Sequence, residues 1–592
     1  MIRNSHYCLA TTAIKDFWDM DSKLMFLGPW CLANERGVFE LNNDLIVPSP
    51  WRTGYRVKEA SDYCFAIYKK ILPQISSWLN VLHNVSHPVE YWRVLLGYWL
   101  LHFIQMVYDK YIRIEAVLNH NPDFFTYVLP REKCKPISYS YSDFQLGINA
   151  KSSSDCYNLK LISLVARELC PEKTVVKDYA IEDRINETKQ GLKRRWFNYL
   201  KTPFESAFRG KIILSNMYHV GIKDLLKLKI KIGFGKLDFR DFMLICPQTE
   251  LNLMKRMSAQ MRKRLVIESY GNRFETLLNK TISDAIPICY VEDYFHYSNN
   301  VKKNINLNLN LLGSAVGWSH SELFKYFAAE AVLKGAELAE FQHGGGYGCS
   351  LSIPEEELAV ERGTFYSWGH ICKDNNKVIT LPSPYLSKLI DSYSYNIKHN
   401  GIVFVGSTCF KYVRRLDTCF FPDDIAYYFN SMKVFCNTVS KQIKKDILFR
   451  SGMEGGWKEI DSIKKLFPEI KLVVKGVLTD LMKKARITVV DYPATSFLEA
   501  LVINAPTVLY WDHDIFLMRP EAEPYFQLLR DAGILYKDPI SAAKKVNEIF
   551  DNPGEWWLSD KVQGARKEFC DRFAYARKDW LDVWVRELRK FI

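Results

Sequence analysis

Two segments about 150 residues apart hold the residue types that acid–base and phosphate chemistry need. The first is Glu340-Phe341-Gln342-His343-Gly344-Gly345-Gly346-Tyr347-Gly348. Glycines permit φ > 0 and a close backbone approach to a ligand, and exposed N–H groups in such a loop bind anions. His343 in front of them is placed to act as a general base on an acceptor hydroxyl, or to donate to a phosphate or carboxylate. Gly344, Gly345, Gly346 and Tyr347 are the accompanying candidates for ligand contact. The plain alternative is a histidine capping a tight turn. The lysine of a phosphate-binding P-loop is missing, so that motif is excluded.

The second segment is Asp491-Tyr492-Pro493-Ala494-Thr495-Ser496-Phe497-Leu498-Glu499-Ala500-Leu501. Asp491 ends an apolar run, Thr495 and Ser496 stand where a helix begins, and Glu499 lies one turn inside it. Hydroxyls and free N–H groups at a helix N-terminus favour phosphate, and a carboxylate just beyond accepts bonds from ribose hydroxyls. The competing expectation is a capping box, with Thr495 or Ser496 as cap and Glu499 as its partner. Two further clusters repeat the logic. Ser407 and Thr408 follow Gly406 at an earlier strand end. Arg450 opens Arg450-Ser451-Gly452-Met453-Glu454-Gly455-Gly456-Trp457 and offers a forked donor to phosphate or carboxylate, with Trp457 beside it. Each is an ordinary turn when taken alone. Their order, all at strand ends of one domain, points to a shared ligand.

These residues need a scaffold, and the pattern supplies one. Gly401-to-Thr408, Asp446-to-Arg450, Ile470-to-Val474, Ile487-to-Asp491 and Pro506-to-Tyr510 read as buried strands separated by helical spacing, which predicts a parallel sheet. Earlier, Lys23-to-Trp30 reads as a short strand ending in a Gly-Pro turn, and Ile212-to-Leu214 and Phe242-to-Ile245 as strands. Two long helices fit between about Ala60 and Leu118, broken near Ser86-His87-Pro88. Ser319 is expected to cap a helix running to Lys334, followed by a strand from Ala339 into the glycines. Phe569-to-Ile592 reads as one aromatic-rich helix. The polar stretch Ser392-to-Asn396 marks the domain boundary, giving residues 1–395 and 396–592.

At 592 residues the chain exceeds one hydrophobic core. Hydrophobic residues make up 48% and charged ones 25%, which fits an ordinary globular protein rather than a disordered one. The formal charge of +13 favours anionic partners without choosing among them. No nucleic-acid motif accompanies it, so nucleic acid is not expected as a partner. A basic stretch from about Ile181 to Arg264, notably Lys193-Arg194-Arg195-Trp196, Lys255-Arg256 and Arg262-Lys263-Arg264, reads as a solvated helix face or as a dock for anionic lipid headgroups. Fourteen scattered cysteines show no metal-ligand spacing, so neither a metal nor a cofactor is expected. With no secretory signal in view, free thiols in the cytoplasm are the expectation. The apolar run Val94-to-Tyr108 is too short for a bilayer and carries His102 and Gln105, so a buried helix is expected.

The Asp491 segment together with Ala505-Pro506-Thr507-Val508-Leu509-Tyr510 resembles the nucleotide-domain signature of GT-B glycosyltransferases. It is similar to bacterial capsule (Kdo-type) transferases and teichoic-acid glycerophosphotransferases. Leu9-to-Thr12, Phe26-to-Cys31, Tyr91-to-Gly97 and Phe341-to-Gly345 extend the resemblance to a family of transferases encoded with bacterial surface-polysaccharide genes. The resemblance implies two Rossmann-like domains facing a cleft, with helical additions in the first. It implies a CMP-linked acidic sugar of the ulosonate or nonulosonate kind as donor, inversion without metal, and a glycan or lipid-linked acceptor at the inner face of the membrane. It also implies that His343 matches the family's His-Gly histidine. Many CMP-sugar enzymes carry a His-Pro pair where this chain has Arg450-Ser451-Gly452. A CDP-linked polyol-phosphate transferase and a non-catalytic glycan-assembly scaffold are the alternatives.

Overall fold

A computed structural model describes residues 7–592 except 36, 38–44, 52, 148, 182–209, 241, 243–255, 264, 266–270, 303–308, 373–374, 396–398, 400, 418 and 453. Three sheets organise it, and every strand pair in them is parallel. Parallel strands joined by crossover helices are covered on both faces, which is why their sequences read as short continuous apolar runs.

The first sheet holds β1 (Tyr7–Ala10), β2 (Lys23–Phe26), β3 (Phe124–Val128) and β4 (Thr174–Val176), in the order β2-β1-β3-β4. Of these, only β2 is marked by sequence pattern. The two long helices are α1 (Gly54–His83) and α2 (Val89–His120). Thr53 caps the first, Asn84 ends it in the left-handed region at φ 50°, and Pro88 opens the second. The run from Val94 to Val107 is buried throughout α2, packed on α1 and on the helix Glu322–Leu333. No helix among the described residues is long and apolar enough to cross a membrane.

The second sheet holds β5 (Ile212–Ser215), β6 (Leu237–Arg240), β7 (Leu311–Ser314), β8 (Glu337–Phe341), β9 (Thr364–Ser367) and β10 (Val378–Thr380), ordered β10-β9-β8-β7-β5-β6. The third holds β11 (Ile402–Val405), β12 (Ile447–Arg450), β13 (Lys471–Val473), β14 (Ile487–Val490), β15 (Thr507–Tyr510) and β16 (Leu535–Tyr536), ordered β13-β12-β11-β14-β15-β16. Counted from its own first strand, the third runs 3-2-1-4-5-6, the doubly wound Rossmann order, and reverses between β11 and β14. The second reverses between β5 and β7. These two Rossmann-like sheets are the GT-B architecture that the sequence led us to expect.

Several local expectations are corrected. Ser321, not Ser319, caps Glu322–Leu333 by accepting from Phe324 N at 3.1 Å, and Gly317–His320 forms a separate helical turn. The strand near Phe242 ends at Arg240; Met243-to-Ile245 lies outside the described residues. The final helix is two, Asp560–Phe573 and Trp580–Leu588. The second of these returns to the second sheet, where the Trp584 ring stacks on Phe341 at 5.0 Å and its Nε1 donates to Pro382 O. Part of the basic stretch also turns inward. Arg262 is 1% exposed and gives its donors to Glu292, Ser283 O and Ile286 O, while Arg256 pairs with Asp293. Arg262 is thus withdrawn from any surface, whereas Arg256 stays exposed beside its partner. Lys193-to-Trp196, Lys255 and Arg264 lie outside the described residues.

Candidate active site

β8 delivers His343 to the carboxyl edge of the second sheet. Gln342 fixes the exit, its Nε2 donating to Gly344 O at 2.7 Å while its Oε1 accepts from Trp368 N at 2.6 Å. His343 is half-buried, with Nε2 3.4 Å from the Tyr347 hydroxyl and Nδ1 enclosed without a hydrogen bond. Burial pushes its pKa down to about 4 against the opposing pull of Glu355, so the imidazole is neutral near pH 7 and keeps a lone pair for a proton. The Tyr347 ring itself is buried.

The loop's far end is locked by the helix Pro354–Arg362. Gly348, at φ 73°, donates to Glu356 Oε2 at 2.9 Å, and a side chain there would strike the His370 ring. Glu356 also takes a bidentate pair from Arg519, at 2.9 and 3.0 Å, and lies 3.2 Å from His370 Nε2. Burial resists its ionisation, but Arg519 and His370 prevail and hold its pKa down to about 2. Neighbouring Glu355 pairs with Arg415 and lies 3.7 Å from His102 Nε2 on α2. Two adjacent carboxylates of one half therefore each take an arginine from the other. This clamp was not anticipated from the sequence. Its only linear sign is the Pro354-Glu355-Glu356-Glu357 run that follows the glycine loop.

On the third sheet, β14 ends at Val490, just before Asp491, and the helix Thr495–Ile503 begins after Ala494, which makes no side-chain cap. The capping box is absent because its members are engaged elsewhere. Thr495 Oγ1 accepts from Gly345 N at 3.2 Å, Ser496 Oγ meets the Tyr492 hydroxyl at 2.9 Å, and Glu499 accepts from the Tyr385 hydroxyl at 2.7 Å. Asp491 is buried and neither carboxylate oxygen has a hydrogen-bond partner. Burial pushes its pKa up to about 8, although Tyr428 and the Ser407 amide favour the ionised form. Burial likewise raises Glu499, opposed by the Tyr385 hydroxyl.

The two clusters thus meet. A Cβ on Gly345 would lie 2.5 Å from the carbonyl carbon and oxygen of Ala494, so only glycine lets this loop rest on the start of the Thr495 helix. Gly346 faces Ile353, and Gly344 has room beside Tyr347 and Thr495. Ser407 and Thr408 stand half-buried at the end of β11, across the strand-order reversal from Asp491, and Ser407 N donates to the Tyr428 hydroxyl at 2.7 Å. Arg450 stands apart. Its guanidinium donates to Val473 O and Gly476 O, each at 3.2 Å, on the β13 side. Trp457 is 1% exposed and donates to Cys409 O, so it forms wall rather than surface. Among the described residues no group of three or more His, Cys, Asp or Glu is arranged to hold a metal ion.

The loop that carries a neutral imidazole thus rests on a helix N-terminus that carries a pair of hydroxyls. Such a set can accept a proton on one side and neutralise a phosphate on the other.

A family model described as LIC12162 family transferase matches residues 7–588. The chain belongs to that family of transferases. No curated protein matches it in sequence. Solved structures that resemble it include a glycosyltransferase of Rickettsia africae, at 11% identity over 65% of this chain and 99% of that one, with a TM-score of 0.33. MurG of Acinetobacter baumannii is 10% identical over 64% and 99%, with a TM-score of 0.30. The UDP-GlcNAc 2-epimerase of Neisseria meningitidis, bound to UDP-GlcNAc, is 10% identical over 64% and 99%, with a TM-score of 0.35. The strand orders above, not these likenesses, define the fold.

Proposed function

We propose that this transferase moves a sugar from a nucleotide-activated donor onto a hydroxyl of a bacterial surface glycan or lipid-linked acceptor. The observation that carries the reading is the meeting of the His343 loop with the Asp491-to-Glu499 segment across the two facing sheets. Residues 1–395 would hold the acceptor and 396–592 the donor.

Transfer to a hydroxyl needs a base at the acceptor and neutralisation of the leaving phosphate. Neutral His343 takes the acceptor proton. Thr495, Ser496 and the helix N–H groups meet the phosphate with Ser407 and Thr408, and Glu499 holds the ribose once Tyr385 yields. Direct displacement inverts the anomeric carbon and asks for no metal. A CMP-linked ulosonate or nonulosonate is the favoured donor, supported by the capsule-transferase resemblance and the basic balance of the chain. Arg450 would reach a donor carboxylate only by leaving the Val473 and Gly476 carbonyls. Arg450-Ser451-Gly452, in place of a His-Pro pair, favours a CDP-linked polyol phosphate as the second reading. Lipid-linked acceptors would place the enzyme in the cytoplasm at the inner face of the membrane.

Incubation with a CMP-activated ulosonate, with CMP release followed by chromatography, tests the reading. Slow hydrolytic release by the wild type and none by His343→Ala is expected. Release from UDP- or GDP-sugars alone would overturn the donor, and release from no activated sugar would overturn the transfer.

A further inference from the structure

The second sheet has its own strand-order reversal, between β5 and β7, and the chain leaving β5 there is strained. Asn216 and His219 both hold left-handed backbone, at φ 46° and 50°. Two non-glycine residues of this kind within four positions cost energy that packing must offset, and such strain concentrates at ligand sites. Between them lies Tyr218, whose ring sits 6.4 Å from His343, 6.1 Å from Trp368 and 5.7 Å from Tyr385. His219 is exposed and stacks on Tyr385 at 4.7 Å, while Tyr218 and Tyr385 are half-buried. At the edge of this aromatic wall the Tyr385 hydroxyl donates to Glu499, the carboxylate that reaches in from the third sheet.

We propose that Tyr218, His219 and Tyr385 form a subsite for the acceptor's sugar ring. The inference rests on the transfer reading for the word acceptor, but the ligand chemistry stands by itself. A pyranose offers one face of C–H bonds and a rim of hydroxyls. The wall offers ring faces with a phenol hydroxyl and an imidazole at its rim, the mixture of aromatic surface and few polar groups that small-molecule sites use. Its place also fits. It lies at the carboxyl edge of the sheet that carries His343, so a sugar stacked there would hold a hydroxyl beside the proposed base. The strained turn then has a purpose, because it swings Tyr218 out of the β5 line and into the junction.

Saturation-transfer-difference NMR on the full chain tests this with three probes taken separately: methyl β-D-glucoside, methyl β-D-galactoside and cytidine. Ring C–H protons of a glycoside should saturate with the wild type. That signal should fall severalfold in Tyr218→Ala and partway in His219→Ala, with cytidine unchanged in both. His219 is exposed, so its variant decides the matter if Tyr218→Ala does not fold. No glycoside signal in the wild type, or signals equal in wild type and variants, would make the wall mere packing and overturn the inference. Loss of the cytidine signal in its place would make it a nucleobase platform and overturn it too. If the wild type binds glycosides as described but no nucleotide, the subsite stands and the transfer reading fails.

Discussion

At the end of the second sheet, Glu355 and Glu356 each have an arginine from the other half of the chain; at the end of the third, Asp491 has no hydrogen-bond partner and Glu499 only a tyrosine hydroxyl. Both edges come from the same parallel α/β construction. Burial opposes ionisation at all four carboxylates. Cations reverse its effect at Glu355 and Glu356, and nothing comparable does so at Asp491 and Glu499. The difference separates two roles. Satisfied charges hold the glycine loop and join the halves, whereas unsatisfied ones are groups that a ligand can complete.

The largest expected effect lies on the satisfied side. His343→Ala should lower turnover by roughly 10²–10⁴-fold, the usual worth of a general base, while nucleotide affinity in calorimetry stays at the wild-type value. Unchanged turnover would move the base to another group of that edge, and Glu355, with one enclosed oxygen lacking a hydrogen bond, is the first to try. Next comes the clamp. Glu356→Ala strands Arg519 and His370 and should cost about 3 kcal/mol, at the lower end of the range for broken buried pairs because Arg519 is partly solvated. Chemical denaturation measures it, and a loss comparable to that of a surface pair would dissolve the contrast.

Much of this comparison was legible before any coordinates. The apolar runs of β11, β12, β14 and β15 mark a doubly covered sheet, and the glycines after His343 mark a close backbone approach, expected towards a ligand and found at Gly345 to be towards the start of the Thr495 helix. The clamp was hidden because its partners lie far apart in sequence, Glu356 being 163 residues from Arg519. Of the first sheet only β2 was legible, because β1, β3 and β4 are three to five residues long and carry little period-2 signal. The break between the last two helices spans Ala574-to-Asp579, which contains neither glycine nor proline, so no breaker announces it. The sequence does not single out Tyr218, since only the backbone angles beside it mark the site.

On the unsatisfied side the effects are smaller. Glu499→Ala should weaken nucleotide binding by roughly tenfold, the value of a lost hydrogen bond to a charged group, with turnover at saturation changed less. A rise in KM for the acceptor without loss of nucleotide affinity would reassign Glu499 to the aromatic wall. Asp491→Asn should act through pH. The folded carboxyl binds its proton up to about pH 8, far above its ordinary value of 3.8, so its contribution to stability is full below about pH 4 and is lost as pH rises through about 8. The variant, which cannot ionise, should gain more than about 1 kcal/mol over the wild type at pH 9 and nothing at pH 4, read from denaturation at both pH values. Equal stability differences at the two would show that Asp491 has a partner in solution.

The central claim is that the junction of the two edges holds a cytidine nucleotide. Thermal-shift titration of the full chain with CMP, CDP, UDP and GDP tests it most directly. A ligand at a hundredfold excess over its Kd adds about 2.7 kcal/mol to the folded state, well within the reach of a melting curve. The account predicts a saturable rise in Tm with CMP or CDP, preserved in His343→Ala and reduced in Glu499→Ala. A rise with UDP or GDP and none with either cytidine nucleotide would contradict it.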